Sequence, residues 1–238
     1  MSNNSRRTGK ALVPVRAKLD RARRYSLEDA LAQLRQVPPA KFDETVELAV
    51  NLAIDTRQSD QVVRGTVTLP HGTGKVPRVA VFATGEGARE AREAGAEEVG
   101  AEDLVKKIED GWEEFDILVA APELMRIVGR LGRKLGPRMP SKKAGNITPD
   151  VGGAVRELKA GRLEFRADKA GVVHVPIGKM SFDDAQLRDN FVTMISEISR
   201  SRPAGVKGQY LKGVSISSTM GPGFKLDLHQ VRELAAEQ

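Results

Sequence analysis

Val46, Leu48, Val50, Leu52 and Ile54 alternate with Glu47, Ala49, Asn51, Ala53 and Asp55, the period-two pattern of a strand with one buried face. Before it, Leu27, Ala30, Leu31 and Leu34 recur at helical spacing behind Ser26, a capping residue, and Pro38-Pro39 ends that run. A second strand, Val63 to Leu69, follows the polar turn Arg57-Gln58-Ser59-Asp60. These signals predict a helix packed on an antiparallel sheet.

The pattern changes between about 71 and 157. Val79 to Ala83 and Ile117 to Ala121 are short, continuously apolar strands, separated by helical periodicities at Gly87 to Ala94, Ala101 to Ile108 and Pro122 to Leu135. Apolar residues on both faces of a strand suit a parallel sheet covered by helices on each side. After Thr148-Pro149, a helix-start signal, Val151, Val155 and Leu158 continue at helical spacing. The antiparallel style then returns. Leu163 and Phe165 alternate with charged neighbours, a turn lies at Asp168 to Gly171, and Val172 to Ile177 forms another strand. A long helix capped at Ser181 carries Leu187, Phe191, Met194, Ile195 and Ile198 inward. The predicted architecture is therefore α/β with two domains. Residues 1–70 plus 158–238 form a discontinuous α+β domain, into which a parallel, Rossmann-like α/β domain of residues 71–157 is inserted through two crossings.

With 238 residues and 40% hydrophobic content, the chain is long enough for two real cores. Its 38 Lys+Arg against 32 Asp+Glu give a net charge of +6, which favours an anionic partner, nucleic acid ahead of a membrane surface. The distribution says more. Glu86 to Glu123 holds thirteen acids against four bases, and Arg126 to Lys143 then holds seven bases and no acid. Residues 1–26 carry eight Lys/Arg and one acid. No apolar run approaches the roughly 20 residues that cross a bilayer, and Met1 to Lys10 lacks a signal-peptide core, so a cytoplasmic location is expected. Zero cysteines exclude disulfides and thiolate chemistry.

Enzyme signals are weak. His71-Gly72-Thr73-Gly74-Lys75 ends like a phosphate-binding loop, but Leu69 stands where its first glycine belongs and Val76 replaces the magnesium-binding hydroxyl. The three histidines, His71, His174 and His229, are scattered, and no nucleophile elbow is visible, so no catalytic residue, metal site or cofactor is expected.

Recognition signals are stronger. Ser217-Ser218-Thr219-Met220-Gly221-Pro222-Gly223 is uncharged, with hydroxyls that both donate and accept and glycines that let backbone approach a ligand. A hairpin turn would use the glycines and proline alone, and has no need of Met220 or three hydroxyls. Lys41-Phe42-Asp43-Glu44-Thr45 precedes the first strand; Phe42 either packs inward or lies exposed to stack on a ribose or base, and residue chemistry leaves both open. Gly136 to Gly145 is a basic loop. A helix C-terminus accounts for Arg133 and Lys134, whereas Arg138, Lys142 and Lys143 lie beyond its reach and either contact backbone phosphate or belong to a solvated loop, residue chemistry leaving both open.

Taken together, Lys41 to Glu47, Val63 to Gly72, Leu135-Gly136-Pro137-Arg138 and Ser218-Thr219-Met220-Gly221-Pro222 resemble the bacterial L-one family of large-subunit ribosomal proteins, in order and over nearly the whole chain. Phe165 to Gly171 and Ile177-Gly178-Lys179 fit as well. The resemblance implies a non-enzymatic structural protein of the large subunit's mobile stalk, binding large-subunit rRNA. It further implies help in releasing deacylated tRNA from the exit site, and repression of its own operon by binding its mRNA. Family RNA contacts carry over to Lys41, Phe42, Thr45, Ser217, Thr219, Met220 and Gly221, and Ser218 between them is expected to join the same surface. Arg166, Lys169 and Lys179 are further expected RNA contacts, and Arg133, Arg138, Lys142 and Lys143 secondary RNA or tRNA contacts. No membrane partner is expected, and off the ribosome the chain is expected to be a monomer. The family pattern has Gly-Leu between the Arg and Met of the second-domain loop; here Arg138 runs directly into Met139. One rival reading is an enzyme holding a small ligand above the parallel strand ends of the α/β middle domain. Another is a free mRNA repressor.

Overall fold

Along β1 (Thr45–Leu52), Val46, Leu48, Val50 and Leu52 are buried while Glu47 and Asn51 face solvent, as the alternation predicts. The computed structural model describes residues 20, 22–37, 40–142 and 144–236. In it, β1 lies inside a four-stranded antiparallel sheet, between β7 (Val172–Lys179) and β8 (Leu211–Ser218), with β9 (Phe224–Lys225) beyond β8. The predicted second strand is present as β2 (Arg64–Thr68) but pairs with β6 (Arg162–Arg166) in a separate two-stranded sheet. Both edges of β1 are already taken by β7 and β8, so its sequence neighbour finds no free edge.

Helix α1 (Leu27–Arg35) begins as expected, the Ser26 hydroxyl accepting the Asp29 N–H at 3.0 Å. Its expected stop, Pro38-Pro39, lies outside the described residues. Helix α7 (Asp184–Arg200) buries Leu187, Phe191, Met194, Ile195 and Ile198. Its cap is Asp183 rather than Ser181, in a capping box with Gln186, because Ser181 instead donates both its N–H and its hydroxyl to Asp43. Helix α8 (Leu228–Ala236) packs against α7 and β8, and the Ser196 hydroxyl donates to the Ala235 carbonyl at 3.1 Å.

The middle of the chain forms a three-stranded parallel sheet of order β4-β3-β5, with β3 at Val79–Phe82, β4 at Glu98–Gly100 and β5 at Ile117–Ala120. Its continuous apolarity has a physical cause. Val79, Val81 and Val119 pack with Val151, Val155 and Leu158 on one face, and Ala80, Phe82, Leu118 and Ala120 pack with Leu104, Ile108 and Leu131 on the other. Flanking helices are α2 (Gly85–Glu93), α3 (Glu102–Glu109) and α6 (Val151–Lys159), the last capped by Asp150 accepting the Gly153 N–H. The predicted single helix from Pro122 to Leu135 is instead broken. A 3-10 turn at Pro122–Leu124, α4 (Met125–Val128), a 3-10 turn at Gly129–Leu131 and α5 (Gly132–Leu135) replace it, the last two breaks falling at Gly129 and Gly132.

The chain thus divides into two compact units, one drawn from Met1–Gly74 and Phe165–Gln238, the other from Lys75–Glu164. The class is mixed α/β, an antiparallel sheet in the first unit and a parallel one in the second.

Candidate nucleic-acid interface

Antiparallel pairing sets the start of β1 beside the ends of β7 and β8. Thr45 is opposite Lys179 on one side, and Val46 and Glu47 are opposite Ser218 and Ser217 on the other. One end of the sheet therefore collects Lys41, Phe42, Thr45, Lys179, Ser217, Thr219, Met220 and Gly221 from three distant stretches of sequence. Phe42 is 54% exposed and Met220 57% exposed. The question of whether Phe42 joins the core is thereby closed: it faces outward.

Hydrogen bonds hold this end together. The Thr45 N–H donates to Thr219 Oγ1 at 3.0 Å, and the Thr219 N–H donates back to the Thr45 carbonyl at 3.0 Å. Thr219 Oγ1 also lies 3.3 Å from that carbonyl, so its proton and one lone pair are engaged and one lone pair is left for a ligand. Lys179 Nζ donates to Thr45 Oγ1 at 2.8 Å, which leaves the Thr45 hydroxyl proton available to an acceptor. The ammonium thus sits at the surface with its position set by β1.

The loop after β8 is tight. The Gly221 N–H donates to the Ser218 carbonyl at 3.1 Å, and a Cβ on Gly221 would come within 2.4 Å of Ser218 Oγ. Glycine is thus required by close approach. Ser218 itself is only 3% exposed, and its hydroxyl is buried without a hydrogen-bond partner. It supports the loop from beneath, in contrast to Ser217, Thr219 and Met220. Beside the loop lies a hollow of about 490 Å3 lined in part by Phe42, Glu44, Met180 and Ser218.

Sequence reasoning missed Glu44. The residue is 4% exposed; its carboxylate accepts the Ala40 N–H at 3.1 Å and the Met220 N–H at 2.8 Å, and its carbonyl accepts the Met180 N–H at 2.8 Å. Its one local signal is parity with Val46, Leu48 and Val50, but Glu44 stands one residue ahead of β1, where the alternation alone does not fix the buried side.

Other expected residues fall elsewhere. Lys169 stands in the turn before β7, and Arg166 ends β6, whose next residue, Ala167, bridges Val173. Both are exposed, but at the end of β7 opposite Lys179, roughly 23 Å away at about 3.3 Å per residue. The turn there is stiffened by Asp168, whose carboxylate accepts the N–H groups of Val172 at 2.9 Å and Ala170 at 2.8 Å; the Val172 bond leads in holding its pKa below the usual carboxylate value. Arg133, Arg138 and Lys142 are exposed in the second unit, where the Arg138 guanidinium lies 3.7 Å from Glu113 and over the Phe115 ring at 5.7 Å. Lys143 lies outside the described residues. Among the described residues no cluster of His, Asp and Glu has metal-binding geometry, and no helix is long and apolar enough to cross a membrane.

The family model described as the Ribosomal protein L1p/L10e family matches residues 34–222, which span β1, both crossings between the units and the loop as far as Pro222.

Proposed function

The chain belongs to the ribosomal protein L1p/L10e family, and from that premise we propose that its rRNA contact is made by the sheet end carrying Phe42 and Met220. The family is one of structural RNA-binding proteins of the large ribosomal subunit, not of enzymes, so a ribosomal role and rRNA binding follow directly. The observation that carries the surface assignment is exposure. Phe42 and Met220 are two of the few large apolar side chains left open to solvent among the described residues, and they share one end of one sheet. Exposed apolar groups beside Lys41, Lys179 and bonded hydroxyls suit RNA: cations take phosphates, Phe42 stacks on a sugar or base, and Thr45 and Thr219 meet 2′-hydroxyls.

In this reading the discontinuous domain of residues 1–70 plus 158–238 supplies specificity, and residues 71–157 are the inserted domain. Further roles proposed are a place on the mobile stalk, release of deacylated tRNA from the exit site, and repression of its own operon through a similar fold in its mRNA. Off the ribosome the protein is a cytoplasmic monomer. Arg133, Arg138 and Lys142 are placed toward tRNA. The test is titration of a large-subunit rRNA fragment with Phe42→Ala and Met220→Ala. Each is expected to lose roughly 1–3 kcal/mol, the scale of one stacked base, with unchanged thermal stability. Wild-type affinity in both variants would refute the assignment.

A further inference from the structure

We infer that Glu44 is a positioning residue for RNA selectivity, acting from beneath the surface by fixing the Met220 backbone to the segment that carries Phe42. The inference rests on the proposed RNA-binding role of that surface. Its basis is the reach of one buried side chain. Glu44 Oε1 accepts from Ala40 N at 3.1 Å and Oε2 from Met220 N at 2.8 Å, partners 4 and 176 residues away in sequence. Its main chain adds a third anchor, accepting Met180 N at 2.8 Å directly after Lys179. All three stretches that supply the surface therefore meet at this residue.

The geometry explains why an acid stands on the buried parity of a strand otherwise filled by Val and Leu. Two amide donors converge there, and only a carboxylate presents two acceptor oxygens to both. A buried carboxylate is costly unless such donors compensate it, so its presence implies that both are in place in the folded chain. Glutamine is nearly the same size but presents one acceptor and one donor. In Glu44→Gln one of the two amides faces an NH2 group, and either the Phe42 side or the Met220 side loses its tie. The bonds between the Thr45 main chain and Thr219 remain, so the sheet end persists while the bridge through residue 44 that ties Met220 to the Phe42 segment is broken.

The experiment compares two RNAs, the large-subunit rRNA fragment preferred by the wild type and an unrelated duplex of equal length, with full-length wild type, Glu44→Gln, Met220→Ala and the double variant. Glu44→Gln is expected to bind the rRNA fragment about tenfold or more weakly, the scale of one hydrogen bond to a charged group, and to bind the unrelated duplex as the wild type does. In the Met220→Ala background the same change is expected to add little further loss, because the two act as one unit. Amide exchange at Met220 in the free protein is expected to quicken. If Glu44→Gln does not fold, semisynthesis with an ester in place of the Thr219–Met220 amide removes the Met220 N–H alone and is expected to give the same selective loss. Unchanged selectivity in the variant that folds, parallel losses on both RNAs, or full additivity with Met220→Ala would overturn the role of Glu44. A wild type that treats both RNAs alike would instead overturn the reading of the surface itself, and this role with it.

Discussion

Single atoms decide the shape of the loop after β8. Gly221 stands so close to Ser218 Oγ that an added Cβ would lie 2.4 Å away, whereas the Ser218 hydroxyl has no hydrogen-bond partner. Gly221→Ala is therefore expected to lower stability by about 1–3 kcal/mol through overpacking, and Ser218→Ala in the same chain to recover most of it, as measured by urea denaturation. Ser218→Ala alone should be neutral or mildly stabilising, since it removes a buried hydroxyl that is not bonded. Tyr210, whose hydroxyl is also buried and without a partner, has its pKa pushed up from 10.0 to about 12 by burial. A raised folded-state value means that its contribution to stability is complete below pH 10 and is lost as pH rises through about 12. Phenolate absorbance should accordingly show Tyr210 ionising only as pH approaches about 12, with unfolding accompanying that step. Phe42 and Glu44 mark the limit of what residue patterns reveal here. Both have the parity of Val46, but β1 begins only at Thr45, and ahead of it the alternation has no authority over Phe42. Glu44 stays inside because amides from Ala40 and Met220 hold it, and the second partner, 176 residues away, has no local trace in sequence.

Elements followed their patterns wherever one periodicity ran uninterrupted. β1, β3, β5, α6 and α7 lie where the apolar spacing puts them, since each buries one stripe or two full faces. Partner choice for β2 was not legible, because it depends on which edges of β1 remain free after β7 and β8 have paired. The broken stretch from Pro122 to Leu135 shows another limit. Val128, Leu131 and Leu135 keep a helical stripe and are buried, yet Gly129 and Gly132 weaken the backbone enough for 3-10 turns to intervene. Both glycines have helical dihedrals, φ −56° and ψ −29° at Gly129, φ −53° and ψ −36° at Gly132, and a Cβ at either meets nothing within 4 Å. Gly129→Ala and Gly132→Ala are each expected to raise stability by about 0.4–1 kcal/mol, seen as a higher urea midpoint with unchanged slope. A fall would mean that the breaks serve packing rather than resulting from composition.

Across the whole molecule, charge is distributed differently in the two units. The proposed rRNA surface has only a few cations, Lys41 and Lys179 among them, beside apolar and hydroxyl groups, so phosphate attraction there supplements shape. The second unit pairs the acidic stretch from Glu86 to Glu123 with the basic one after Arg126, and Arg138 in that basic stretch is already engaged by Glu113 and Phe115. A surface of mixed sign does not lie flat on a duplex, but its exposed Arg133 and Lys142 remain suited to a partner that touches only the basic side. Salt dependence separates these roles, because each neutralised phosphate contributes about 0.9 to the slope of log affinity against log salt in duplex DNA, and a similar increment is expected for RNA. Lys41→Ala should reduce the slope for the rRNA fragment by about one while leaving the slope for deacylated tRNA unchanged. Arg133→Ala and Lys142→Ala should do the reverse. If all three variants flatten the rRNA slope equally, both units lie on the same RNA and the assignment of the second unit to tRNA falls. If none alters either slope, the cations are solvated and recognition rests on the Phe42 and Met220 surface alone.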